Sequence, residues 1–230
     1  MSLKVLSAGA VKGGVSQIAA AYAAAADCKV DVEFTQVPKM RKRIADGEIT
    51  DVLVATTGAM DEFAASGKIV PATRALLGRS RVGVVVHKDA PAPDVSDTDA
   101  FKHALLAASA VVYNDASSGV YIAALLKKLG VTAQLGDRIT VVNSGSAIMS
   151  TVADRGLGAM GMGQISEIMV MINKGCAVKL VAPMPDAIQN VTTYYAAVAV
   201  ASATQDAAAA LVRELTSDAA KKLFAATGID

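Results

Sequence analysis

Short apolar segments alternate with alanine-rich stretches of helical period along nearly the whole chain, and this alternation constrains the fold more than any other feature. Residues 4–7 read as a strand, 11–26 as a helix and 30–35 as a second strand, in which Val30, Val32 and Phe34 alternate with polar residues. Residues 39–45 are helical and stop at Asp46-Gly47. Residues 51–55 form a buried strand, and 60–66 a short helix closed by Gly67. Strand–helix repetition of this kind predicts parallel pairing with right-handed crossovers, an α/β fold.

A second series follows. Residues 81–87 form an apolar strand that runs into Asp89-Ala90-Pro91-Ala92-Pro93-Asp94, an extended surface stretch. Ser96-Asp97-Thr98-Asp99 has the pattern of a capping box and opens a helix through residue 107. Strands are then expected at 110–113, 139–142, 159–162 and 178–181, with helices at 120–129, 147–154 and 165–172 between them. A late strand at 194–200 and helices at 206–215 and 217–226 complete the chain.

Hydrophobic residues make up 53% of the 230 residues, enough for a sizeable core, while aromatics are only 4% and tryptophan is absent. Small residues of this kind suit helices lying close on sheets. The 22 basic and 21 acidic residues leave a net charge of +1, which argues against a nucleic-acid partner. The one basic run, Lys39-Met40-Arg41-Lys42-Arg43, falls in a helical pattern and reads as a solvated face. Two histidines, His87 and His103, and two distant cysteines, Cys28 and Cys176, give no metal-ligand spacing, so no metal is expected. The cysteines read equally as free thiols or as an incidental pair. No apolar run has the length of a membrane span, and no secretory leader precedes the first strand.

In open α/β sheets, ligands bind outside the carboxyl ends of the strands. Four of the expected strand ends carry small and hydroxyl residues: Ser7-Ala8-Gly9-Ala10 before Val11; Ala55-Thr56-Thr57-Gly58; Asn114-Asp115-Ala116-Ser117-Ser118-Gly119; and Asn143-Ser144-Gly145-Ser146. The first N–H groups of a helix lack internal partners, and the helix dipole favours an anion there by about 0.3–1 kcal/mol. One such loop is an ordinary cap and turn. Four of them, two in each series, make a set of donors for an anion that needs no formal positive charge.

Other motifs fall short. Gly13-Gly14 is followed by no Gly-Lys-Ser/Thr, so no phosphate loop is present, and no Gly-x-Ser-x-Gly elbow exists. Gly161-Met162-Gly163 is explained by close backbone packing in a strand. Tyr113 and Tyr121 suit the core as well as a ligand. Arg79, before the strand at 81–87, reads equally as a two-pronged carboxylate clamp or a surface ion pair, and Arg81 as a surface ion pair.

Five stretches resemble the molybdate-binding branch of type II periplasmic solute-binding proteins. They are Val5-Leu6-Ser7-Ala8-Gly9-Ala10 with the helix after it; Ile44 to Asp51 leading into Val52-Leu53-Val54-Ala55-Thr56; Ser117-Ser118-Gly119-Val120-Tyr121; Gly161-Met162-Gly163-Gln164-Ile165-Ser166-Glu167; and Leu215-Thr216-Ser217-Asp218-Ala219-Ala220 with Phe224 and Gly228. The resemblance implies two Rossmann-like lobes with a hinge cleft, 1–81 plus 194–230 and 82–193, closing on a ligand. It also implies a monomer that works with a membrane permease; the expected compartment is periplasmic if a leader has been removed and cytoplasmic otherwise.

At the ligand loops the chain departs from that branch. Ala10 stands where the branch has a serine, and Val37-Pro38 where it has a second hydroxyl. Ser117-Ser118-Gly119 replaces Pro-Ala-Gly, Gly145 matches a backbone donor, and Gln164 replaces a tyrosine. Hydrogen bonds to a charged group are worth about 1.5–3 kcal/mol each, so two lost hydroxyls weigh against molybdate. The expected ligand-binding set is Ala10, Val11, Thr56, Arg79, Ser117, Ser118, Gly145 and Gln164, which suits a carboxylate better than a tetrahedral oxyanion. The variant also resembles a subgroup containing aconitate isomerase, which makes an isomerase the alternative to a transport receptor. Such an enzyme needs a base. Asp115 and Tyr113 are the nearest candidates, Asp115 being expected to cap a helix instead, so no catalytic residue and no cofactor is assigned.

Overall fold

The structure, a computed structural model, describes residues 2–230. The chain divides into two compact units, Met1–Ser80 with Thr192–Asp230, and Arg81–Val191.

The first unit contains strands β1 (Ser2–Ala8), β2 (Lys29–Thr35) and β3 (Val52–Thr56), and helices α1 (Lys12–Ala25), α2 (Val37–Ala45) and α3 (Thr57–Ala65). β1 lies between β2 and β3 and runs parallel to both, with Val5 opposite Val32 and Val52. The strand at the far side, β9 (Val191–Val198), is antiparallel to β3. Helices cover both faces of this sheet, so its strands alternate between two cores. Leu3, Val5, Val52, Val54, Ala196 and Val198 pack with α1 and with the C-terminal helices α9 (Gln205–Leu215) and α10 (Asp218–Ala226). Leu6, Leu53, Ala55 and Ala197 pack on the other side with Met40, Ile44, Met60 and Phe63 of α2 and α3.

The second unit is built around β5 (Ala110–Asn114), β6 (Ile139–Val142) and β7 (Ala159–Gln164). β5 is parallel to both neighbours. β4 (Ala75–His87), which begins in the first unit, pairs antiparallel with β7 and with β8 (Val178–Pro183). Helices α4 (Thr98–Ala107), α5 (Ser117–Lys128) and the short α6 (Thr132–Leu135) lie with Val82, Val84, Val111 and Tyr113 in one core. Helices α7 (Gly145–Arg155) and α8 (Ile165–Asn173) pack with Val85, Ala110 and Val112 in another. Close packing accounts for Gly161: an ideal Cβ there would lie 2.7–2.9 Å from Val85, Val152 and Ile148.

Three local expectations change. β4 starts at Ala75, not at residue 81, because Arg79 and Ser80 pair with the C-terminal residues: Arg79 N–H donates to Asp230 O at 2.6 Å, and Ser80 bridges Ile229. Helix α4 is capped by Asp97 rather than Ser96, its carboxylate accepting from the N–H groups of Asp99 and Ala100. Asp115 caps nothing: the N-cap of α5 is Ala116, without a side-chain bond.

Candidate functional site

In the second unit, β6, β5 and β7 lie side by side and parallel, so their carboxyl ends share one edge. Each is followed at once by a helix: α7 after β6, α5 after β5 and α8 after β7. The starts of these helices therefore converge. Ser117 and Ser118 occupy the first turn of α5, Ser117 exposed and Ser118 buried. Gly145 is the first residue of α7, and Gln164 ends β7 as the buried N-cap of α8. All four expected residues of this unit thus stand at one edge.

Local bonds fix these helix starts. Asp115 N–H donates to Val142 O at 2.9 Å, tying the end of β5 to the end of β6. Ala116 N–H donates to Asn114 Oδ1 at 3.3 Å. An ideal Cβ on Gly119 would fall 1.5 Å from Asn114 O, so only glycine lets the first turn of α5 fold this tightly over the strand end. Ser144 caps α7, accepting from Ala147 N–H at 3.2 Å, and its Oγ lies 3.3 Å from Ser146 Oγ.

One residue at this edge was not singled out from the sequence. Glu167 sits in the first turn of α8, and its carboxyl lies against Gly145. Burial pushes its pKa up from the ordinary 4.5 to about 7, with no charged neighbour among the causes. It is thus the group at this edge whose protonation state changes near neutral pH. The tyrosines resolve towards structure: Tyr113 is buried in the core, which raises its pKa, and Tyr121 Oη donates to Ile188 O at 3.0 Å.

In the first unit, the parallel pairing of β1 with β3 brings their carboxyl ends together. Ala10 lies in the 3-10 turn Gly9–Val11 after β1, and Thr56 is the N-cap of α3 at the end of β3. The side chain of Val11 is buried in the core, which leaves only its backbone for a ligand. Thr56 makes no side-chain cap bond. Arg79 reaches its place differently, within β4, where its backbone is held by Asp230 and its side chain is exposed. Among the described residues it forms no ion pair, whereas Arg81 pairs with Asp186 at 3.2 Å. A separate concavity of about 400 Å³ in this unit is lined by Ile18, Tyr22, Ala25 and Leu223 among others, and is too apolar to seat an anion.

Among the described residues, no group of three or more His, Cys, Asp or Glu is placed to hold a metal ion, and no helix is long and apolar enough to cross a membrane. Both cysteines are free.

Comparison with known proteins identifies the fold and the family. Solved structures with the same fold include the periplasmic molybdate-binding protein of Azotobacter vinelandii, with a TM-score of 0.78 and 18% identity over 99% of this chain and 98% of that one. The sulfate-binding protein SubI of Mycobacterium tuberculosis H37Rv gives 0.78 and 19% over 100% and 86%. The tungstate ABC transporter structure from Geobacter sulfurreducens gives 0.74 and 16% over 97% of each. These likenesses establish the type II periplasmic-binding-protein fold. A curated relative, aconitate isomerase of a Pseudomonas species, is 31% identical over 236 residues, covering 99% of this chain and 87% of that protein. The model of the bacterial extracellular solute-binding proteins matches residues 3–230, and the chain belongs to that family.

Proposed function

We propose that the chain binds a small carboxylate as the receptor component of an ABC-type importer. The observation that carries this reading is the convergence of the α5, α7 and α8 starts at the carboxyl edge of β6, β5 and β7. Helix N–H groups and the Ser117 and Ser118 hydroxyls supply donors there without a lysine or arginine. Within the first unit, Ala10, Val11, Thr56 and the exposed Arg79 are the candidate ligand contacts.

Carboxylate is preferred over tetrahedral oxyanions for two reasons. The relative at 31% identity is named for a tricarboxylate, while the oxyanion-binding proteins are 16–19% identical. Ala10 and Val37-Pro38 also stand where the molybdate branch, which the chain resembles, offers hydroxyls. A receptor of this kind works outside the cytoplasmic membrane, as a monomer, and delivers its ligand to a permease. Calorimetric titration with di- and tricarboxylates, molybdate, tungstate, sulfate and phosphate tests the reading. Submillimolar binding of a carboxylate with none of molybdate supports it, and tight molybdate binding alone overturns it.

A second reading, an isomerase of a di- or tricarboxylic acid, is favoured by the same relative and by Glu167, a carboxyl that can both accept and return a proton near neutral pH. Incubation with cis-aconitate, followed by NMR, checks it. Appearance of the trans isomer supports this reading, and a flat time course removes it for that substrate.

A further inference from the structure

Glu167 is hard to explain as part of the scaffold. Folding half-buries this residue and sets its carboxyl against the first residue of α7, where the absence of a side chain at Gly145 makes the space. An ideal Cβ on Gly145 would lie 2.0 Å from Glu167 Oε2 and 2.2 Å from Cδ. A carboxyl at that spot occupies the N-terminal end of a neighbouring helix, which is where an arriving anion would go. Gln164, at the start of the same helix, and Ser117 and Ser118, at the start of α5, stand along the same edge.

We propose that Glu167 is a ligand-contacting residue of this seat, and that it enters the complex protonated and donates its hydrogen to the bound anion. The proposal rests on the reading that an anion occupies the α5, α7 and α8 starts. The physical reason is direct. Two negative groups cannot share a dry site, so the incoming anion drives the nearer carboxyl to its neutral form. The neutral acid then offers an O–H where an ionised one offers only acceptors. The proton comes from solvent, and its transfer neutralises the carboxylate as the anion arrives.

Other charged groups do not take this role. The elements packed on α8 include α7, β7 and β8, and β4, whose Gly83 lies against Ile165 and Ile168. Their charged and titratable residues are Asp154 and Arg155 at the far end of α7, Lys179 of β8, whose ammonium donates to Ala90 O at 2.5 Å, and Arg79, Arg81 and His87 of β4, none of them among the causes of the Glu167 shift. Asp115, beyond β5, is exposed. Burial alone raises the pKa of Glu167, to about 7, so the group is poised to take up a proton under physiological conditions.

The test is calorimetry of the full chain with propane-1,2,3-tricarboxylate, a saturated acid that cannot isomerise, and in parallel with sulfate and molybdate. Titrations run from about pH 7.5 to about pH 9, where these ligands are fully ionised, in two buffers of different ionisation enthalpy. Uptake of nearly one proton per anion bound is expected, with affinity falling up to about tenfold per pH unit. Glu167→Gln keeps a permanent donor and should bind without proton uptake and with affinity independent of pH. Binding without proton uptake, or a pH dependence that survives in Glu167→Gln, overturns the proposal. A Glu167 that merely caps α7 would behave so, with Glu167→Gln lowering stability while the linkage stays. Should only sulfate or molybdate bind, the carboxylate reading fails while the linkage is still read with that ion. Should no anion bind, both fail. A carbon-13 titration of the Glu167 carboxyl gives an independent check, and a midpoint in the ordinary carboxylate range overturns the proposal whatever the ligand.

Discussion

The Glu167 carboxyl fills the space that a side chain on Gly145 would need, with Oε2 2.0 Å from the ideal Cβ position. Gly145→Ala is therefore a switch for Glu167 rather than a lesion of the fold. Alanine is a good residue in the first turn of a helix, and the carboxyl is the far end of a flexible side chain that can swing away. Displaced into water, Glu167 should titrate near its ordinary 4.5. Carbon-13 titration should show that fall, and the pH dependence of anion binding should weaken with it.

Glu167 also sets how stability depends on pH. Its folded pKa, about 7, lies above the ordinary 4.5, so folding disfavours the charged form. The penalty is absent below about pH 4.5, grows as pH rises to about 7 and is constant above. Its ceiling is about 3 kcal/mol, since one pKa unit corresponds to about 1.4 kcal/mol. Urea unfolding of the free protein at about pH 4.5, 6, 7 and 8.5 should show this loss. Glu167→Gln should flatten the curve in that window and be the more stable protein at about pH 8.5. Equal slopes for both proteins would show that the carboxyl ionises freely.

How far the sequence could reach depended on the range of the interactions. Strands such as β5 are legible because burial on both faces leaves a short, nearly continuous apolar run. Helix starts are less so. Serine and threonine ordinarily cap a helix from outside. The pattern therefore places α5 at residue 120, whereas Ser117 and Ser118 lie inside its first turn and Ala116 is the cap. The first half of β4 was hidden because its partners, Ile229 and Asp230, are at the other end of the chain. The strand-end residues Thr56 and Gly145 were readable from the rule that ligands sit at carboxyl edges, and Gln164 from the family resemblance. Glu167 was not, since a glutamate in a first turn reads as a partner of its own helix dipole. Only the parallel pairing of β6, β5 and β7 brings Gly145 beneath it.

Packing in the first unit gives a prediction with the opposite logic to Gly145. An ideal Cβ on Gly14 would lie 2.2 Å from two ring atoms of Phe224, and that ring is rigid and fully buried. Nothing flexible can yield, so α10 must shift on α1. Gly14→Ala should lower stability by about 1–3 kcal/mol, as overpacking does. Chemical denaturation should report the loss, and Phe224→Leu in the same chain should recover part of it.

Asp51 is a half-buried junction of the first unit. Its carboxylate accepts from Lys4 N–H at 2.7 Å, Ser202 Oγ at 2.5 Å and Thr204 Oγ1 at 3.2 Å, joining the start of β3 to β1 and to the turn before α9. Asp51→Ala leaves these donors without their acceptor, at a cost of about 2 kcal/mol. Hydrogen exchange should accelerate at Lys4 and Thr204 before it does in the second unit. Uniform acceleration across both units would show that the junction does not act locally.

Arg79 separates backbone from side-chain roles. Its N–H and C=O are bound to Asp230, at 2.6 and 2.9 Å, and any residue keeps those bonds. Its guanidinium is exposed and forms no ion pair among the described residues, so Arg79→Ala should leave stability within about 0.5 kcal/mol of the parent. If the guanidinium clamps a ligand carboxylate with two parallel hydrogen bonds, the same change should weaken tricarboxylate binding by a factor on the order of ten or more. Arg79→Lys should recover little of that loss, because an ammonium keeps the charge but not the planar fork. Calorimetry on the parent and both variants decides the matter. Equal affinities in all three would remove Arg79 from the ligand-binding set and leave it a solvated residue on a strand held by the C-terminus.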